Sequence, residues 1–182
     1  MIDRQVTLAR LQCLGSRDVL ELRDIQKTID FIKDNERFTA RDNLAGHLTA
    51  SAWVISEDHE FALLLHHKRL RRWLQPGGHI EDDRHLEAAA QREAEEETGL
   101  PVRLAQADIF DVDVHFIPAG KREPGHYHYD IRFLFYADPT LPLTGGEESH
   151  ELAWIAVSDL LTHEETSIAR MARKANSLGT TG

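Results

Sequence analysis

GHIEDDRHLEAAAQREAEEETGL, residues 78–100, is the stretch on which the reading of this 182-residue chain turns. From about Arg84 to Thr98 it has the composition of a helix, and Gly99 followed by Pro101 is the ending of one. Asp83 is the expected N-cap. At about 100° per residue, Leu86, Ala90, Glu93 and Glu97 fall close to one line, with Ala89 and Glu96 flanking it. The stripe begins apolar and ends acidic. Like charges at i, i+3 and i+4 repel by roughly 0.2–0.5 kcal/mol per pair. The macrodipole at a helix C-terminus disfavours each carboxylate by a further ~0.3–1 kcal/mol. Stability alone does not place three glutamates there, whereas a need for clustered anionic oxygen does. The simplest such need is a hard divalent cation, because Mg²⁺ and Mn²⁺ take oxygen ligands. Taken by itself, EAEEE also reads as an ordinary solvated helix face.

The neighbouring residues separate those readings. The stretch resembles the Nudix box, the signature of the Nudix hydrolase family: Gly, five residues, Glu, seven residues, then Arg-Glu-U-x-Glu-Glu-x-Gly-U, with U a bulky apolar residue. Gly78, Arg92, Glu93, Ala94, Glu96, Glu97, Gly99 and Leu100 stand in register with it, and the approach Gln75-Pro76-Gly77-Gly78-His79-Ile80-Glu81 is similar as well. The departures are Arg84 where the family carries Glu, Asp82-Asp83 where Pro-Gly is common, and the small Ala94. The missing Glu often supports the box arginine or the metal shell in this family, so Glu81, Asp82 and Asp83 are candidate replacements.

The resemblance covers roughly residues 46–175 and implies an α/β/α sandwich with a mixed sheet. It implies metal binding by Glu93, Glu96, Glu97 and Gly78, with Mg²⁺ or Mn²⁺ as cofactor. It also implies a catalytic set of Glu96, Glu93, Arg92 and a carboxylate from a late loop acting as base, for which Glu148 is the choice among Glu147, Glu148 and Glu151. Arg92 is read as orienting Glu93 or Glu96, since an adjacent guanidinium holds carboxylates ionised and aligned. The implied activity is metal-dependent cleavage of a diphosphate bond in a nucleoside diphosphate linked to another group. The alternative is a non-catalytic Nudix domain that binds a nucleotide or a partner protein, the reading that Arg84 favours.

Length and composition bound the rest. A chain of 182 residues allows one domain with a terminal extension. Lys and Arg number 21 against 31 Asp and Glu, a net charge of −10, which argues against a nucleic-acid polymer as partner. A phosphorylated small molecule would need metals or local cations to approach such a surface. The single Cys13 excludes an intrachain disulfide, fits a reducing compartment and reads as a packed helix residue. With no signal-type apolar stretch and no membrane-length run, the expected location is cytoplasmic.

Residues 1–44 form a helical extension, 45–176 the Nudix domain and 177–182 a frayed tail in this reading. Residues 5–34 divide into two helices, the second starting at Ser16 or Asp18; this region packs on the body or builds a homodimer contact. GHLTASAWVIS, FALLLHHK, WLQPGGHIE, HYHYDIRFLFYAD and ELAWIAV read as strands, with another strand-like run in VRLAQADIFDVDVHFIPA. Ser158 is placed to open a short helix, and residues 164–176 a terminal one.

Strand alternation puts His126, His128, Asp130 and Arg132 on one face, and Asp111, Asp113 and His115 on one face of the preceding run. If the two runs pair, three readings stay open: an ordinary exposed polar face, the lining of a substrate cleft, or a second metal site. The first four, together with Arg72 from the basic connector around His66, His67, Lys68, Arg69 and Arg71, are the candidate substrate-binding residues. His47 reads as structural, and Trp73 as core or cleft wall.

Overall fold

In this computed structural model the described residues are 1–68, 70–120, 124–145 and 149–179. Two helices come first, α1 (Arg4–Cys13) and α2 (Val19–Asp34). Four strands follow: β1 (Gly46–Ile55), β2 (Phe61–His67), β3 (Arg72–Leu74) and β4 (Gly77–His79). The acidic helix α3 (Leu86–Thr98) separates these from β5 (Arg103–Leu104), β6 (Asp111–Ile117), β7 (His126–Tyr136) and β8 (Ser149–Ala156). The described chain closes with α4 (Val157–Leu160) and α5 (Thr166–Gly179).

Every residue of β1 is buried, which makes it the spine of a mixed sheet. It pairs with β7 in parallel from Gly46↔Tyr127 to Ile55↔Tyr136, while β6 lies antiparallel on the other edge of β7. Alternation along β1 sorts its side chains into two cores. Leu48, Ala50, Ala52 and Val54 pack with residues of α1, α2 and α3, including Leu11, Ile32, Leu86 and Ala90. Trp53 and Ile55 pack with α4 and α5 through Leu160, Ile168, Met171 and Ala172. Helices cover both faces, which is the expected α/β/α sandwich. The continuous burial of Leu63, Leu64 and Leu65 in β2 follows from the same cover on two sides.

The N-terminal helices form part of this packing. Asp18 caps α2 by accepting from the Leu20 and Glu21 amides. Phe31 of α2 stacks on Tyr129 of β7, with ring centroids 4.0 Å apart. The fully buried Glu21 accepts a hydrogen bond from Lys174 Nζ of α5 at 2.5 Å.

Four local expectations are corrected. WLQPGGHIE is two strands: β3 pairs with β2, and β4 pairs with β1. The acidic helix starts at Leu86 with His85 at its N-cap, where no side chain accepts from the helix amides; Asp83 serves elsewhere. Cys13 is exposed at the end of α1. The last helix continues through Ser177 to Gly179. No helix among the described residues is long and apolar enough to cross a membrane.

Candidate active site

One edge of β1 changes partner partway along. Its N-terminal half pairs with β4, from Thr49↔His79 to Ser51↔Gly77, and its C-terminal end pairs with β2 at Val54↔Leu63 and Ile55↔Ala62. Between them, the Ala52 amide donates to the Pro76 carbonyl at 2.9 Å. The two partner strands diverge from there around a cleft of about 370 Å³, within the usual range for small-molecule sites. Glu93, Glu96 and Glu97 line it together with Gly77, Gly78, His79, Thr49, Ser51, His115, His128, Asp130, Arg132 and Arg72.

The acidic end of α3 is held against β4 by hydrogen bonds. The Gly77 amide donates to Glu97 Oε2 at 2.8 Å. Arg92 Nη1 donates to Glu93 Oε1 at 2.9 Å and to Glu96 Oε2 at 3.2 Å. Its Nη2 donates to the His79 carbonyl at 3.0 Å and to Asp83 Oδ2 at 2.9 Å. Burial opposes the Arg92 charge, but hydrogen bonds to Asp83 and Glu93 outweigh it and raise its pKa above the ordinary value. Arg84 is exposed. The carboxylate beside the box arginine is therefore supplied one position earlier, by Asp83. Glu93 is mostly buried, whereas the Glu96 side chain is 61% exposed, so the cluster opens to solvent on one side.

Gly78 lets that helix approach. A Cβ built there would lie 2.6 Å from Glu93 Oε2, so any larger residue would displace the carboxylate. Hard carboxylate oxygens, one of them pressed against a bare backbone, match the donors that Mg²⁺ and Mn²⁺ take. Glu93 and Glu96 under Arg92, and Glu97 beside the Gly77 amide, offer such oxygens next to the Gly78 backbone.

The polar strand faces do meet. The β6–β7 register pairs Asp111 with Arg132, Asp113 with Asp130 and His115 with His128. Asp130 accepts from Thr49, Ser51, Gln75 and Arg132 at 2.7–3.1 Å. Arg132, 2% exposed, also faces Asp111 at 3.2 Å and Asp113 at 3.3 Å. Arg170 and Lys174 of α5 complete the cluster through Asp111. Burial disfavours the charge on Asp111, but the hydrogen bond from Arg170 and the charges of Arg132 and Lys174 prevail and lower its pKa. Asp130 and Arg132, read from the sequence as substrate contacts, thus have their charges committed within the cleft floor.

His126 and His128 belong to a group of imidazoles with His47, His79 and His115. Ring centroids lie 4.8 Å apart for His47–His128, 5.0 Å for His126–His128 and 5.4 Å for His79–His128. Burial, then the neighbouring histidines, push the His128 pKa down to about 2, so its ring is neutral. Arg72 sits at the cleft rim and is bonded to Glu165 at 2.7 Å. Glu148 lies outside the described residues, as does Arg69.

The sequence profile of the NUDIX domain matches residues 46–174. The chain belongs to the NUDIX family. The enzyme class expected from the sequence, a Nudix-type hydrolase, stands with that membership. Solved structures agree on the fold of the Nudix domain. A NUDIX-family hydrolase from Clostridium perfringens is 26% identical, with a TM-score of 0.55 over 72% of this chain and 97% of the other. The MutT protein from Methanosarcina mazei Go1 is 20% identical, with a TM-score of 0.52 over 76% and 98%. An ADP-ribose pyrophosphatase from Streptococcus suis is 17% identical, with a TM-score of 0.50 over 74% and 93%. No curated protein matches the chain by sequence.

Several residues of the cleft and of the ion cluster beneath it escape a reading of the sequence of this Nudix domain. Thr49, Ser51 and Gln75 look like ordinary strand and loop residues, and only their convergence on Asp130 reveals a role. Arg170 and Lys174 carry no motif in the sequence beyond lying in the terminal helix. Their spacing of four residues was the available signal, since it puts both on one helix face.

Proposed function

We propose that the protein is a divalent-cation-dependent hydrolase that cleaves a diphosphate bond in a nucleoside diphosphate linked to another group. The observation that carries this reading is the set of hydrogen bonds around Arg92, which gathers Glu93 and Glu96 beside Gly78 at the mouth of the cleft. A Mg²⁺ or Mn²⁺ ion bound there would neutralise diphosphate charge and acidify a water. Arg92 holds Glu93 and Glu96 aligned. Glu97 is fixed by the Gly77 amide, so it can turn little as substrate enters. A carboxylate, Glu96 or Glu148, takes the proton of the attacking water; the water oxygen bonds to phosphorus, the bridging P–O bond breaks, and the leaving phosphate carries the electron pair. Arg72 at the rim meets the substrate in this reading.

The non-catalytic alternative rested on Arg84. Asp83 makes the carboxylate contact to Arg92, so the departure at 84 no longer favours it. A phosphate-release screen with Mg²⁺ or Mn²⁺ over ADP-ribose, nucleotide sugars, dinucleoside polyphosphates, nucleoside triphosphates and coenzyme A tests the proposal. Turnover of at least one diphosphate ester is expected. Tight ligand binding with no turnover under either ion would make the domain a binding module.

A further inference from the structure

The imidazole group holds an arrangement that the carboxylate chemistry does not use. His47 on β1 and His128 on β7 are direct partners in the parallel ladder, so their rings rise from adjacent strands on the same face. His126 lies two residues before His128 on that face. One ring nitrogen from each of His47, His126 and His128 falls in a set whose members all lie within 4.8 Å of one another. His47 is fully buried and His126 is 8% exposed.

The hydrogen bonds orient the donors. His126 Nδ1 lies 2.9 Å from the Pro124 carbonyl, an acceptor only, so Nδ1 carries a proton and Nε2 is the nitrogen that can offer a lone pair to an ion. That Nε2 lies 3.1 Å from His128 Nε2. The two are hydrogen-bonded, so an ion would replace the one hydrogen between them; two nitrogens about 2.0–2.1 Å from one tetrahedral ion sit about 3.3 Å apart, close to this spacing. A ring N–H donated to a backbone carbonyl is also the usual outer contact of a metal-ligating histidine. His115, across the ladder from His128, shows the same pattern with Nδ1 3.0 Å from Asp113 Oδ2.

We propose that His47, His126 and His128 form a second metal centre, separate from the glutamate cluster, that takes a borderline divalent transition ion of the Zn²⁺ class. Neutral nitrogen donors in a largely buried pocket select such an ion over Mg²⁺, which demands oxygen and keeps its waters. His128 also lines the cleft, so the centre borders the space that substrate would enter.

Zn²⁺ binding to the full chain tests this by competition with a chromophoric chelator in excess Mg²⁺, with Co²⁺ absorption reporting nitrogen ligation. One tight Zn²⁺ per chain is expected to persist under Mg²⁺. His128→Gln and His126→Gln should each weaken it by about tenfold or more, while Glu96→Gln leaves it unchanged. His128, at the cleft wall, is the substitution the fold tolerates more readily, and a thermal melt of each variant confirms folding. Failure of Zn²⁺ to bind, equal affinity in the folded His128→Gln variant, or loss of the site in Glu96→Gln instead would overturn the proposal. The readout is binding, so its failure leaves the hydrolase reading intact.

Discussion

The glutamates of α3 line the cleft, and the histidines of β1 and β7 reach it through His128, but the two groups are built on opposite terms. The glutamates occupy consecutive turns of one helix, open to solvent on the Glu96 side, under a single arginine that bonds two of them and Asp83. The histidines come from strands far apart in the chain and are packed ring against ring, with His47 and His126 buried. Charge explains the difference. An ionised carboxylate is costly to bury, so a cluster of them remains at a helix end beside a guanidinium. Neutral imidazoles carry no such penalty and can be gathered inside. Asp111 shows what full burial of a carboxylate requires: it is surrounded by Arg132, Arg170 and Lys174.

The largest effect should come from the glutamates. Glu96→Gln and Glu97→Gln are expected to lower kcat/KM by on the order of 10²–10⁴-fold in a phosphate-release assay, with melting temperature little changed. Full activity in both would move the chemistry away from α3.

Asp111→Asn probes the buried extreme. Stripping one partner from a buried charge cluster costs about 3–5 kcal/mol, a fall in Tm of roughly 6–20 °C for a chain of this size. The pH dependence has a definite sign. The folded-state pKa of Asp111 lies below its ordinary 3.8, so its stabilisation is complete above that pH and is lost as pH falls through the folded value. Wild type should therefore lose Tm on acidification below about pH 4 more steeply than Asp111→Asn does. Parallel melting curves for the two proteins would show that Asp111 is not the charged hub.

Gly78→Ala sharpens the account of the exposed cluster. The added methyl meets only the flexible end of Glu93, so the fold should survive while the Mn²⁺ concentration for half-activation rises by on the order of tenfold. An unchanged activation midpoint would show that Glu93 does not need its present position. Asp83→Asn should have the smallest effect, a loss of about three- to tenfold in kcat/KM, since Arg92 keeps Glu93 and Glu96. No loss would remove Asp83 from the support of Arg92.

Legibility followed the range of the interactions. The register of Arg92, Glu93, Glu96 and Glu97 was readable because a helix converts spacing into a shared face without help from the rest of the chain. The faces of β6 and β7 were readable by alternation, and their meeting at Asp113↔Asp130 was conditional on a pairing that no local pattern specifies. Asp83 looked like a helix cap because short-range statistics favour it; a longer-range contact to Arg92 took it instead. His47 reads as structural because, alone at the start of a strand, nothing nearby in sequence gives it company; its contact with His128 comes from strand pairing.

By itself, then, the order of residues determined most of the helix–strand succession, the acidic face of α3 and the family the chain belongs to, since each depends on neighbours within a few positions. Only the tertiary structure decided that Thr49, Ser51 and Gln75 would converge on Asp130, that α5 would insert two cations beneath the sheet, and that His47 would stand beside His128. Those contacts depend on strand register and layer packing, which arise from burying two apolar faces at once.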